Sequence, residues 1–360
     1  MSAGTLLLNR GDVRELLSLD ECIAAVEEAF RLHAAGKTLA PGVLGVHARG
    51  GGFHIKVAGL EKDGVFFAAK LNGNFPQNPA KYNLPSIQGV VFLSDGENGR
   101  PLALMDSMEI TLLRTGAASA IAARYLSRAD STTATICGCG NQGRIQLESL
   151  LRVRKLEFVY AWDVDAARAR DFAGEMSAKL KIPVQPVDEP AQGARRSDMV
   201  ATCTPSREPI LRAGDVGPGT FIAAVGADSS DKQELDPCLV GASKVVVDVI
   251  EQCAEIGELH HALENCCMTR ERVHAELVDL VSGRRPGRTS DEEITIFDST
   301  GTALEDVAAA VVVYRKALER KSAGHVDFAG SGRYKLVQEN TEGDELTRAR
   351  ASLGGWRGPF

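Results

Sequence analysis

Residues 133–144 constrain what this chain can fold into more than any other stretch. Thr133-Ala134-Thr135-Ile136-Cys137 is a short β-branched apolar run that passes directly into Gly138-Cys139-Gly140-Asn141-Gln142-Gly143. From Arg144 the pattern turns helical, with Ile145, Leu147, Leu150 and Leu151 on one stripe, and a second strand-like run, 156–162, ends on Asp163. The three glycines complete G-x-G-x-x-G. Gly138 permits a tight turn, Gly140 lets a pyrophosphate approach the backbone, and Gly143 lets the helix pack close to the strand. Free N–H groups at the helix start would then face the phosphates. Asp163 lies 163 − 138 = 25 residues past the first glycine, near where an acid accepts hydrogen bonds from both ribose hydroxyls. A 2′-phosphate would be repelled there, so the unit predicts NAD rather than NADP.

The rest of the chain suits a two-domain protein. At 360 residues it exceeds one small core. Ahead of the glycine unit, Ser18-Leu19-Asp20-Glu21 reads as a capping box for a helix over 19–36. Strands are predicted over 43–47, 53–58, 65–71, 87–93 and 101–105, with 72–84 as an Asn- and Pro-rich loop. A helix over 108–125, rich in small residues, delivers the chain to a boundary near 127–131. Beyond Asp163, a helix over 166–180 and strands over 184–187, 199–202, 221–225, 244–249 and 294–297 continue the alternation of a doubly wound sheet. A helix over 304–321 has the length and alanine content to pack back on the first domain, and 322–360 reads as an arm or tail. The fold class is therefore α/β, a doubly wound domain joined to an α+β domain.

Charge and cysteines narrow the function. A net charge of −7 gives no general attraction for nucleic acid or anionic membrane. No apolar run reaches a membrane span, and residues 1–10 lack the layout of a secretory signal, so the cytoplasm is expected. Eight cysteines are too sparse for a disulfide scaffold. Cys253, His260, His261, Cys266, Cys267 and His274 contain neither C-x-x-C nor H-x-x-x-H, so they read as helix packing and surface histidines, with no metal.

Three side chains could do chemistry beside a nicotinamide. Lys70 ends the apolar run Val65-Phe66-Phe67-Ala68-Ala69, so it either snorkels to water or meets a partner. Arg114 interrupts a small-residue helix, where a guanidinium needs an anion; a carboxylate ligand, a pyrophosphate or an internal salt bridge would all serve. Asp228 follows a strand at the carboxyl edge where such sheets bind ligands. It could move a proton, or it could simply bond its own turn.

With these residues in view, the chain resembles the ornithine cyclodeaminase and mu-crystallin family. The motifs are Lys70 with Asn72-Gly73-Asn74, Leu112-Leu113-Arg114-Thr115-Gly116-Ala117-Ala118-Ser119, Gly138 to Gln142, Val225-Gly226-Ala227-Asp228, and Phe297-Asp298-Ser299-Thr300-Gly301 with Leu304-Glu305-Asp306. The match runs over about residues 5–325. The resemblance implies a substrate and dimerisation domain of residues 1–128 plus 302–325, a Rossmann NAD-binding domain of 129–301, and a tail of 326–360. It implies hydride transfer between nicotinamide and the α-carbon of an amino acid or its imine, in a homodimer. Lys70 and Arg114 would hold the substrate carboxylate and Asp228 would be the acid/base at nitrogen. The cofactor would meet Gly138, Gly140, Asn141, Gln142 and Asp163, with Ser86, Arg114, Thr204, Val225, Gly226, Lys232 and Ser299.

Two departures from the family pattern bear on the substrate. Many members carry an arginine on the first strand after the N-terminal helix, whereas Ala40-Pro41-Gly42-Val43-Leu44 holds no cation; Lys56 on the next strand would substitute. His54 stands about where the cyclodeaminase has a glutamate near the ornithine amine. Both weigh against ornithine and favour an imine reductase or amino-acid dehydrogenase acting on a small α-amino or α-imino acid. The alternatives are a cyclodeaminase with catalytic NAD and a ligand-binding protein of the mu-crystallin kind.

Overall fold

The computed structural model describes residues 4–320 and 324–328. Six strands open the chain: β1 (Thr5–Leu8), β2 (Thr38–Ala48), β3 (Gly51–Glu61), β4 (Val65–Asn74), β5 (Ile87–Asp95) and β6 (Pro101–Asp106). They lie in the order β1-β6-β5-β4-β3-β2, antiparallel except for the parallel pair β1 and β6. Strand alternation gives the two faces of this sheet opposite characters. Val43, Lys56 and Lys70 stand in register on one face, as do His54 and Asn72. Leu44, Ile55, Leu71 and Val90 form a row across four strands on the other.

The second sheet is parallel throughout. Its strands come from β7 (Thr133–Cys137), β8 (Phe158–Trp162), β9 (Val184–Pro186), β10 (Met199–Thr202), a separate strand β11 (Arg207–Leu211), then β12 (Phe221–Ala224), a second separate strand β13 (Gln233–Leu235), β14 (Lys244–Val247), β15 (Ala275–Glu276) and β16 (Thr295–Asp298). The sheet order is β15-β14-β16-β12-β10-β7-β8-β9, and β11 pairs with β13 alone. Such a sheet is covered on both faces, which is why β10, β12 and β16 are buried at every residue. The chain leaves β7 towards β8 and β9, then returns to the far side of β7 as β10. That reversal opens a crevice at the carboxyl ends of β7 and β10.

One helix joins the two sheets. Ser107–Leu126 touches β5 on one side and β12 and β16 on the other, and it is buried along most of its length. Its small residues make this possible: a Cβ on Gly116 would stand 2.4 Å from Ser149 Oγ of the Asn141–Leu151 helix. The last long helix, Ala303–Arg320, packs on β3 and β4 and on the Leu19–Ala34 helix. Among the described residues no helix is long and apolar enough to cross a membrane.

The structure departs from the sequence expectations in several places, which include no expected element for the short helices Pro190–Ala194, Pro237–Ala242, Ile250–Ile256, Glu258–Glu264 and Leu277–Val281 or for β15. β1 and the short helix Arg10–Leu16 carry no period long enough to read. Residues 72–74, expected in a loop, extend β4 because β3 and β5 pair with them on both sides, and a short helix, Asn78–Tyr82, follows. Ladder pairing overrides the poor strand propensity of Asn-Gly-Asn. The pair β11 and β13 was not anticipated. The 322–360 arm begins with β17 (Gly324–Val326), which pairs antiparallel with β1; residues 329–360 lie outside the described residues, as does Lys321, the expected helix end.

Candidate active site

The glycine turn has the shape that its spacing implies. Gly138 sits at φ 101°, in the left-handed region that favours glycine. A Cβ on Gly143 would meet the Gly138 carbonyl oxygen at 2.1 Å, whereas one on Gly140 would meet nothing within 4 Å. The Asn141–Leu151 helix begins at Gly140 with no side-chain cap, so its first N–H groups are free for an anion. Gln142 Oε1 is buried there without a hydrogen-bond partner. Asp163, at the end of β8, accepts the Cys139 N–H at 2.9 Å and the Asp165 N–H at 3.0 Å. An open space over unpaired helix N–H groups, with a carboxylate at the adjacent strand end, fits a dinucleotide.

A cavity of about 520 Å³ opens in front of this turn. It brings together Lys56, Lys70, Arg114, Asn141, Gln142, Thr204, Val225, Gly226, Asp228, Lys232 and Ser299, from both sheets and the helix between them. His54 and Val43 line it too. Gly138 and Gly140, in the turn, and Asp163, after the end of β8, are not among the residues that line it. Ser86 is not on the wall; its carbonyl accepts the Phe75 N–H at 2.7 Å, while its neighbour Ile87 does line the cavity.

The floor is a network of buried charges. Lys70 is 4% exposed and its Nζ lies 2.7 Å from Asp306. Arg114 is 6% exposed, with Nη1 2.8 Å from Glu305 and Nε 3.4 Å from Asp306. Gly301, at φ 78°, leaves room for that guanidinium, since a Cβ there would come 2.1 Å from Nη1. Lys56 donates to the carbonyls of Thr300 at 3.0 Å and Gly301 at 2.7 Å. An ammonium has three donors, so one remains for the cavity.

Burial is the largest influence on Lys56, Lys70, Arg114, Glu305 and His54. It pushes Lys70 down to about 8, helped by Arg114 and opposed by Asp306. It lowers Lys56 as well, with Arg114 adding to the effect. It lifts Glu305 to about 7 against the pull of Arg114. It also disfavours the charge on Arg114, but Glu305 and Asp306 outweigh it and raise that group. His54 is lowered by burial, with Asp228 opposing.

Asp228 differs from the floor residues. Its side chain is 48% exposed at the cavity wall, and Oδ1 accepts from Lys232 Nζ at 2.5 Å. Nothing wider than one ion pair holds it, so it can reorient towards a ligand.

Sequence reasoning missed the groups that hold these residues in place. Glu234 is fully buried and accepts the Thr204 N–H at 2.6 Å and the Gly226 N–H at 2.9 Å, clamping the loops after β10 and β12 together. Glu258 in turn accepts the N–H groups of Glu234 and Leu235. Asp248 accepts from Ser299 Oγ, Thr300 Oγ1 and the Gly301 N–H, fixing the loop after β16. Within Asp231-Lys232-Gln233-Glu234 an acid reads as solvated surface. Only the buried run that follows, Leu235, hints at the strand β13 that carries it inward.

A parallel sheet with a glycine turn at its reversal point, facing a cavity floored by buried cations, defines a nucleotide-dependent α/β enzyme. The chain belongs to the ornithine cyclodeaminase/mu-crystallin family, whose sequence profile matches residues 4–321. It is 41% identical over 325 residues to an alanine dehydrogenase of Archaeoglobus fulgidus, covering 90% of this chain and 98% of that one. The fold superposes on an archaeal alanine dehydrogenase dimer with bound NAD at a TM-score of 0.86 and 40% identity, covering 91% of this chain and all of the other. It also matches a Δ1-pyrroline-2-carboxylate reductase of Thermococcus litoralis, in complex with NADH and L-proline, at a TM-score of 0.85 and 37% identity, with 89% and 100% coverage.

Proposed function

We propose that this protein is an NAD(H)-dependent oxidoreductase that moves a hydride to or from the α-carbon of a small α-amino or α-imino acid. The nicotinamide, when bound, supplies or accepts the hydride. The observation that carries the reading is the convergence of Lys56, Lys70, Arg114 and Asp228 with Asn141, Thr204, Gly226 and Ser299 on one cavity. Lys56, Lys70 and Arg114 hold the substrate carboxylate, so that Cα is fixed relative to the nicotinamide; such positioning contributes several powers of ten in rate. Lys56 is suited to this as the floor cation whose direct partners are carbonyls rather than carboxylates. Val43, within the segment 40–44 that corresponds to the family's arginine-bearing strand, pairs directly with Lys56 across the strands, which supports the substitution. Asp228 exchanges a proton with the substrate nitrogen. Asp163 receives the adenosine ribose, selecting NAD over NADP.

The division of labour follows the two sheets: 1–128 with 302–325 holds the substrate, and 129–301 the cofactor. We also propose a homodimer. The open face of the first sheet carries Leu44 at 56% exposure, Val46, Phe53, Leu71 and Val90, an exposed apolar row of the kind that marks an interaction surface. A second copy is the occupant that the dimeric relative supports. Eight free cysteines suit a reducing compartment, and we place the enzyme in the cytoplasm.

The test is a screen of amino acids with NAD, and of oxo acids with ammonia or methylamine, following NADH absorbance. Net NADH turnover is expected; ammonia release without it points instead to a cyclodeaminase. Asp228→Asn should lower kcat by about 10²–10⁴-fold while NADH affinity, read by fluorescence, stays close to wild type. Unchanged turnover removes Asp228 from the chemistry.

A further inference from the structure

A second constellation lies behind the loop that carries Asp228. On the helix Glu258–Glu264, positions 260, 261 and 264 share one face, being one, three and four residues apart. One donor atom from each of His260, His261 and Glu264 lies within 4.8 Å of the other two. His260 Nε2 and Glu264 Oε2 are 3.5 Å apart, close to the edge of a tetrahedron built on metal bonds of about 2.0–2.2 Å.

Each imidazole also has one ring nitrogen at a main-chain carbonyl, and for His260 it is the nitrogen opposite the one that faces Glu264. His260 Nδ1 lies 3.2 Å from the Ala254 carbonyl oxygen, and His261 Nε2 lies 2.8 Å from that of Lys232. A ring N–H aimed at a carbonyl fixes the tautomer and leaves the opposite nitrogen with a free lone pair, the arrangement that stands behind metal-bound histidines. The rings pack edge to face at 5.0 Å between centroids and are half-buried, so their orientation is set before any ligand arrives. The remaining members of the Cys/His cluster read from sequence go elsewhere. Cys253 is buried against Asp248, and His274 bonds the Pro286 carbonyl.

We propose that His260, His261 and Glu264 form a binding site for a divalent transition metal ion of the zinc or cobalt class, with water completing its coordination. Two imidazoles and one carboxylate suit such an ion, whereas magnesium and calcium prefer all-oxygen sets. Through His261 and the Lys232 carbonyl the site adjoins the loop on which Lys232 holds Asp228, but binding does not depend on the reaction proposed above.

The experiment uses the untagged full chain, stripped with a chelator and titrated with Co²⁺ while the visible d–d absorption is recorded. One equivalent per chain is expected. Glu264→Gln, at a side chain 63% exposed, and His260→Gln should each weaken Co²⁺ binding by about tenfold or more. Absence of a one-equivalent site overturns the proposal, as does unchanged affinity in both variants. A sulfur-to-cobalt charge-transfer band also overturns it, because it puts the ion on Cys238 and Cys267, whose Sγ atoms lie 3.6 Å apart.

Discussion

Lys56 and Lys70 stand directly opposite each other on neighbouring antiparallel strands, a juxtaposition that by itself destabilises a sheet. Asp306 compensates Lys70 and two carbonyls compensate Lys56, yet both ammonium groups remain depressed by burial. An anion entering the cavity relieves that tension, which is why two lysines here point to a carboxylate ligand. A pH signature follows. Lys70 loses its proton as pH rises through about 8, so kcat/KM should fall above about 8, chiefly through KM, and Lys70→Arg should move that limb out of range. Stability should run the other way. The unfolded lysine keeps its proton towards 10.5, so between about 8 and 10.5 the unfolded chain binds more protons and the contribution of Lys70 to stability grows with pH. That contribution is lost as pH falls through about 8. Activity and denaturant midpoints measured over pH 7–10 check both trends; a flat activity profile in wild type argues against Lys70 as a substrate ligand.

The same residues mark what sequence could and could not reveal. Lys70 and Arg114 were legible because a cation inside an apolar or small-residue run demands an explanation. Asp228 was legible because it follows a strand of the parallel sheet. Glu234, Glu258 and Asp248 were not, since their work is to accept main-chain N–H groups from loops distant in sequence, and no local pattern encodes that.

At the scale of elements, helices with 3.6-residue apolar stripes and buried parallel strands were readable almost to the residue, as in Ala166–Leu180 and Met199–Thr202. Short pieces such as β1, β11 and β13 exist only because a neighbouring strand completes them. The clamp of Glu234 across the loops after β10 and β12 is the element-level feature that fixes this part of the cavity wall. Glu234→Ala leaves the Thr204 and Gly226 N–H groups without an acceptor, at a cost of about 1–3 kcal/mol for each buried donor. We expect a lower melting temperature and weaker NADH binding, with Glu234→Gln retaining part of both. Calorimetry and NADH fluorescence titration decide it, and an unchanged NADH affinity in Glu234→Ala removes the clamp from cofactor binding.

For the whole molecule, the two faces of the first sheet would let one unit serve both the proposed substrate binding and the proposed association. Odd and even residues of the same strands supply the cationic cavity wall and the apolar outer row, so neither face can change register without the other. Leu71→Glu puts a charge in the middle of that row and should convert the proposed dimer to a monomer in light scattering. A dimer that persists assigns association to another surface.

Lys56, Lys70, Arg114 and Asp228 are proposed to hold an α-imino acid against the nicotinamide for direct hydride transfer. Incubation with NADH deuterated at both C4 positions and a panel of small α-imino acids, followed by mass spectrometry and NMR of the product, tests it most directly. The expected amino acid carries deuterium at Cα. Product formed without deuterium at that carbon, or none from any imine while NADH still binds, contradicts it.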